Sequence, residues 1–181
     1  MKWFIASDIH GSAVYCRKMI EAYEREGAER MILLGDILYH GPRNDLPEGY
    51  APKEVISLLE PYADRIFCVR GNCEAEVDQM VLSFPVLADY ALLPFEDHLI
   101  YITHGHHFNT GNLPPMKKGD ILLHGHTHVP AWEKTDRYIY FNPGSVSIPK
   151  NGSPHSYMIF EGSTFIWKDL DGTPYHKEII K

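Results

Sequence analysis

WFIASDIHGS, residues 3–12, runs from an apolar stretch straight into an acid, a histidine and a helix-starting serine. Lys2–Ser7 reads as a buried strand, because a short apolar run bounded by polar and turn residues has the length of a strand. Asp8 ends it, and His10 follows two residues on. Ser12 is an N-cap type, and Cys16, Met19, Ile20 and Tyr23 then recur at i, i+3, i+4 and i+7. That spacing predicts a helix over 13–26 with Gly27 as its stop.

The unit repeats downstream. Arg30–Leu34 is strand-like, Pro52 suits the first turn of a helix to about Leu59, Pro61 ends it, and Ile66–Val69 is another strand. This β-α-β-α-β order implies a parallel sheet with covered faces. The second half is strand-rich, with candidates at Leu99–Thr103, Ile121–His124, Tyr138–Phe141, Ser156–Phe160, Thr164–Lys168 and His176–Ile180. Asn142-Pro143-Gly144 and Asn151-Gly152 supply turns between them. The long aperiodic connection from Ile37 to Ala51 is of the kind that usually serves function.

At 181 residues the chain is expected to form one domain, 1–181, with a proper core. No apolar run reaches the roughly 18–20 residues that span a bilayer. An acid at position 8 comes too early for the apolar core of a signal peptide, so a cytoplasmic protein is expected, without a membrane partner. The net charge of −7 disfavours nucleic acid as the main partner. Cys16, Cys68 and Cys73 are odd in number and lack metal spacing, which argues against a disulfide framework.

Five apolar runs end in metal-ligand types. They lead to Asp8 with His10, to Asp36, to Asn72, to His104, and to His126 with His128. One Asp or Asn after a strand only marks a turn. Five strand ends of this kind point to one site, because ligands gather outside the carboxyl ends of strands in open α/β sheets. Oxygen donors and imidazoles without thiolates suit borderline divalent metals such as Mn, Fe, Ni or Zn. Seven such side chains exceed what one ion takes, so a binuclear site with a shared carboxylate follows.

DIH (8–10), GD (35–36), GNC (71–73), HGH (104–106) and GHTH (125–128) resemble, in order and spacing, the motif series of the calcineurin-like metallophosphoesterases. HGPRNDLPEGYAP (40–52) and VRGNCEAEVDQM (69–80) are similar to a bacterial phosphodiesterase subgroup of that superfamily. The resemblance implies an α/β fold, a four-layer αββα sandwich with two mixed β-sheets. It implies that Asp8, His10 and His128 hold one ion, that Asn72, His104 and His126 hold a second, and that Asp36 bridges them. It also implies phosphodiester hydrolysis by attack of a metal-bridging hydroxide on phosphorus, with two divalent ions, Mn²⁺ first and Zn²⁺, Fe²⁺ or Ni²⁺ as alternatives.

Cys73 departs from the pattern, since many relatives carry a histidine there that is thought to protonate the leaving group. Cys73 is one candidate for that acid, a space-filler or a redox-sensitive thiol are the others, and His106 or His107 could act instead. Two cations beside Cys73 are expected to lower its pKa. His40 and Arg43, in the long loop after Asp36, are candidate substrate-binding residues, since an arginine fork suits phosphate. His124 reads as a packing histidine, and Asn142–Ser145 as a turn under the site. The expected substrate is a small phosphodiester. A phosphomonoesterase, or a largely non-catalytic metal-binding scaffold, is the alternative. Dimers and tetramers occur among similar proteins, and no segment of this sequence marks an interface.

Overall fold

The computed structural model describes residues 1–180. The first half holds β1 (Lys2–Ala6), α1 (Ala13–Glu26), β2 (Arg30–Leu33), α2 (Pro52–Leu59), a 3₁₀ segment over Glu60–Arg65, β3 (Ile66–Cys68) and the short α3 (Glu76–Gln79). The second half holds β4 (Tyr90–Phe95), β5 (His98–Thr103), β6 (Ile121–Leu123), β7 (Ala131–Lys134), β8 (Ile139–Asn142), β9 (Ser156–Glu161), β10 (Thr164–Asp169) and β11 (Pro174–Ile179).

These strands build two mixed sheets. The six-stranded sheet has the order β11-β10-β9-β1-β2-β3, and the five-stranded sheet the order β4-β5-β6-β8-β7. β1, β2 and β3 are parallel to one another, as are β5, β6 and β8. The two sheets pack face to face in the layered α/β arrangement expected from the sequence, with helices flanking.

Alternation along β1 and β2 sends side chains to two cores. Phe4, Ala6, Met31 and Leu33 pack against Cys16, Met19 and Tyr23 of α1 and against Val55 and Leu59 of α2. Ile5, Ile32 and Leu34 pack instead against Ile100, Ile102, Ile121, Leu123 and Phe141 of the second sheet. Stacked and tilted rings of Phe160, Phe165, Phe141 and Trp167, with centroids 4.3–5.0 Å apart, close this inner core. On the outer side of the second sheet, Phe108, Pro114 and Pro115 of the 104–120 loop lie against Tyr90, Leu92 and Tyr101.

The helix expected over 13–26 is α1. The Ser12 hydroxyl accepts the Tyr15 N–H at 3.3 Å, and Gly27 stops the helix at φ 60°. Two strands lie outside the sequence expectation, β4 and β7. Both are edge strands. β4 contains Pro94, which an edge tolerates because no outer neighbour needs its missing N–H.

Glu26, at the end of α1, ties that helix to the first sheet. Its side chain accepts from Tyr157 Oη at 2.8 Å, Lys168 Nζ at 2.6 Å and Lys2 Nζ at 3.1 Å. Burial would raise its pKa, but Lys168, Tyr157 and Lys2 outweigh burial and hold it below the ordinary carboxylate value. A depressed folded pKa gives stability that is present above the unfolded pKa and lost as pH falls through the folded one. Glu26→Gln is therefore expected to be less stable than the parent at pH 7, with the gap closing below about pH 4. Urea titrations of both proteins across that range measure it; a gap independent of pH would show that the charge contributes nothing.

Candidate metal centre

All seven residues expected as ligands meet at one end of the sandwich, at the carboxyl ends of β1, β2, β3, β5 and β6. The first sheet supplies Asp8, His10, Asp36 and Asn72; the second supplies His104, His126 and His128. Asp8, His10, Asp36, His104 and His128 are almost fully buried, while His126 is half-buried and Asn72 exposed.

Two ligand groups result. In one, Asp8 Oδ1 lies 3.5 Å from His10 Nε2 and 3.3 Å from His128 Nε2, and the two imidazole nitrogens are 3.2 Å apart. In the other, His104 Nε2 lies 3.4 Å from Asp36 Oδ2, 3.2 Å from Asn72 Oδ1 and 3.1 Å from His126 Nδ1. Asp36 Oδ2 is also 3.6 Å from His10 Nε2, so one carboxylate oxygen faces both groups.

The donor geometry fits metal ions. Nδ1 of His10 is 2.8 Å from the Tyr39 carbonyl, Nδ1 of His104 is 2.6 Å from that of Leu34, and Nδ1 of His128 is 2.7 Å from that of Ile148. A carbonyl only accepts, so each Nδ1 carries the proton and each Nε2 turns a lone pair inward. His10 and His128 then face each other with lone pairs, an arrangement that needs a cation between them. Asp8 Oδ1, buried among them, has no hydrogen-bond partner. Carbonyl partners of this kind fix the tautomer and orientation of ligand histidines.

Electrostatics favour the same reading. Burial would raise Asp8, but His10 and His128 with the nearby His104 hold it well below the usual carboxylate value. Burial would lower His104, yet Asp36 and Asp8 lift it to about 9. Negative charge is thus concentrated here and draws in cations, protons or metal ions in competition.

Local backbone geometry aims the ligands. Seven non-glycine residues among those described have positive φ, and five of them are Asp8, His10, Asp36, His126 and His128. Left-handed conformations are strained for such residues and collect at functional sites. Hydroxyls of Ser145 and Ser147 donate to the Asp8 carbonyl at 2.9 and 3.1 Å and hold it there. The Asn142–Ser145 turn is thus a support for the site as well as a turn. Gly71 and Gly125 let loops approach, since a Cβ at either would collide with Asp36 or with Ser7 and Asp8.

Glu74 escaped the sequence reading. It is 5 % exposed and accepts the backbone N–H groups of Asp36 at 2.9 Å and Ile37 at 2.7 Å, together with that of Gly71. It therefore clamps the loop carrying Asp36 to the loop carrying Asn72. The available signal was its place directly after GNC (71–73). Burial and the Asp36 charge raise its pKa to about 7, against the pull of those three N–H groups.

The remaining candidates separate. Cys73 lines a cleft of about 360 Å³ above the ligands, with Arg43, Thr127 and Lys150. Without bound cations its thiol is pushed up by burial and by Asp36, Glu74 and Asp8. His40 packs edge-on between Tyr39 and Tyr50 and forms no part of that cleft wall. His106 lies tilted against His107 and His104, and burial with the neighbouring imidazoles lowers its pKa to about 4. His124 is buried and stacked on Tyr140, as a packing histidine should be. Lys150 carried no motif and was not anticipated.

Fold, donor set and ligand order together define a metallophosphoesterase. The calcineurin-like phosphoesterase superfamily model matches residues 1–164, and the chain belongs to that family. It is a metal-dependent phosphoester hydrolase. Over 161 residues, 89 % of this chain and 88 % of the relative, it is 48 % identical to the phosphodiesterase YfcE of Escherichia coli. The solved structure of that E. coli phosphoesterase superposes over the whole of both chains with a TM-score of 0.96 and 43 % identity. Vacuolar protein sorting 29 from Cryptosporidium parvum, at 16 % identity and a TM-score of 0.61 over 98 % of this chain and 97 % of that one, shares the fold alone. No helix among the described residues is long and apolar enough to cross a membrane.

Proposed function

We propose that this chain is a phosphodiesterase whose active site holds two divalent metal ions, with Mn²⁺ the expected metal. The observation that carries this is Asp36, one carboxylate oxygen of which faces His10 of one ligand group and His104 of the other. Asp8, His10 and His128 would hold one ion, Asn72, His104 and His126 the second, and Asp36 both. Bound there, the two ions supply Lewis acidity toward the phosphoryl group and make water nucleophilic near neutral pH.

The protein's residues do the rest. Glu74 and the Asn142–Ser147 segment fix the ligand loops before substrate arrives, so little reorganisation accompanies reaction. Arg43 lines the mouth of the cleft, where its planar fork can meet an anionic group of the substrate. Asn72 Nδ2 donates to the Cys73 sulfur at 3.2 Å, and Cys73 lines the cleft, where its thiol would be placed to protonate a departing oxygen. A thiol is a weaker acid than the imidazolium it replaces, so turnover is expected to favour leaving groups that depart unaided.

E. coli YfcE bears the name phosphodiesterase, which supports the diester reading over the monoester one. The complete ligand set supports catalysis over a scaffold role. A small phosphodiester is the proposed substrate, a cytoplasmic location is proposed with it, and a homodimer or homotetramer is the proposed assembly.

The test is hydrolysis of bis-p-nitrophenyl phosphate by chelator-stripped protein, with and without Mn²⁺. Activity is expected to vanish on stripping and to return with two equivalents of Mn²⁺. A methyl phenyl diester and an all-alkyl diester then grade the leaving group. The alkyl diester is expected to be slowest, and slower still in Cys73→Ala. Metal-independent turnover, or a single bound ion, would overturn the binuclear reading. Full turnover of poor leaving groups by both Cys73→Ser and Cys73→Ala would remove Cys73 as the acid.

A further inference from the structure

The cleft above the ligands carries more positive charge than a simple diester neutralises. Arg43, from the loop after Asp36, and Lys150, from the segment after β8, both line it. Lys150 is fixed there by its backbone, whose N–H donates to the His128 carbonyl at 3.1 Å. Asp36 is the one carboxylate on the wall, and it belongs to the ligand cluster. Neither cation makes an ion pair among the described residues, although the chain has 24 acidic residues against 17 basic ones. In a protein of charge −7, two free cations over one cleft reverse the local sign.

Charge balance says what they face. Two divalent ions, offset by the carboxylates of Asp8 and Asp36, leave enough positive charge for the single negative charge of a diester. Arg43 and Lys150 are then surplus. Desolvating unpaired cations in a ligand cleft is unfavourable unless an anion arrives with the ligand. A guanidinium fork beside a lysine ammonium matches a terminal phosphate, which offers several oxygens and nearly two charges.

We propose that this cleft selects phosphodiesters bearing a second phosphate on one substituent, and that Arg43 and Lys150 hold that phosphate. The proposal rests on the phosphodiesterase reading for the reaction, but the anion site can be read without turnover. Both side chains are exposed, so neutral substitutions there leave the core untouched.

Two probes decide it. The 4-nitrophenyl ester of thymidine 3′-phosphate is compared with the same ester carrying a 5′-phosphate, in the parent, Lys150→Gln and Arg43→Gln. The 5′-phosphate is expected to raise kcat/KM about tenfold, chiefly through KM, as a charge-assisted contact should. That gain is expected to shrink in each variant. Calorimetry on the metal-loaded protein then compares thymidine 3′,5′-bisphosphate with thymidine 3′-phosphate, the former expected to bind about tenfold tighter through Lys150 and Arg43. No binding preference in the parent, or a preference that both variants keep, overturns the proposal. If neither ester turns over but the preference persists and falls in the variants, the second-phosphate site stands and the phosphodiesterase reading fails.

Discussion

Asp36→Asn is expected to lower kcat/KM by at least about 100-fold and to weaken both metal ions together. Asparagine keeps the shape and one oxygen, so the contact from the Cys73 N–H to Oδ1, 2.9 Å, survives. The change falls on Oδ2, which now becomes an amide nitrogen without a lone pair, facing His104 Nε2 at 3.4 Å and His10 Nε2 at 3.6 Å. Since that atom serves both ligand groups, the loss is shared. Asp8, by contrast, sits in one group, so Asp8→Asn should weaken one ion more than the other. Manganese titration by calorimetry, run beside turnover, separates the two patterns. Asp8 and Asp36 repel each other in the metal-free protein, which holds part of the Asp36 pKa depression back. Burial and Asp8 are nonetheless outweighed by His104 and His10, so the Asp36 pKa stays depressed and the metal-free variant should be less stable than the parent at neutral pH. Two ions bound at parental affinity with full turnover would remove the bridging role.

Glu74→Ala is expected to cost roughly 3–9 kcal/mol of stability, because it strands three buried backbone N–H groups at about 1–3 kcal/mol each. Against a total of about 5–15 kcal/mol for a domain, that approaches unfolding. Glu74→Gln retains one acceptor oxygen and should fall between the two. Urea denaturation of metal-free protein, read by far-UV dichroism, measures the series. Should Glu74→Ala lie within about 1 kcal/mol of the parent, water has taken over the three N–H groups and the clamp is dispensable. The loss also reaches function, since two of the three groups belong to Asp36 and Ile37, in the loop that presents the shared carboxylate.

The sequence was most legible where one local pattern carries one physical meaning. An apolar run followed by Asp or His gave the strand ends at Asp8, Asp36, Asn72, His104 and His126, and helical spacing with Ser12 and Gly27 gave α1 to the residue. Edge strands were less legible. β4 is interrupted by Pro94 and β7 spans only Ala131–Lys134, so neither shows the continuous apolar run that marks the buried central strands. Glu74 was invisible for another reason: a buried carboxylate and a solvated one have the same letter, and only the surrounding N–H groups distinguish them. Lys150 was missed likewise, because the His128 carbonyl that seats it is 22 residues away in sequence. Left-handed φ at His10, His126 and His128 was beyond any composition rule, since only a few per cent of non-glycine residues adopt it and nothing in the local sequence marks which.

Those left-handed residues set the terms on which the protein can be made more robust. At Asp8, His10, Asp36, His126 and His128, glycine would relax the backbone by about 1 kcal/mol or more at each site. Each such change would also delete a ligand. Selection for heat resistance alone would thus drift toward a stronger fold with an empty end, and the gain would accumulate residue by residue as turnover disappeared. Engineering a durable form of this enzyme must therefore leave these five positions alone and seek its increments elsewhere, for instance in the loop that covers the second sheet.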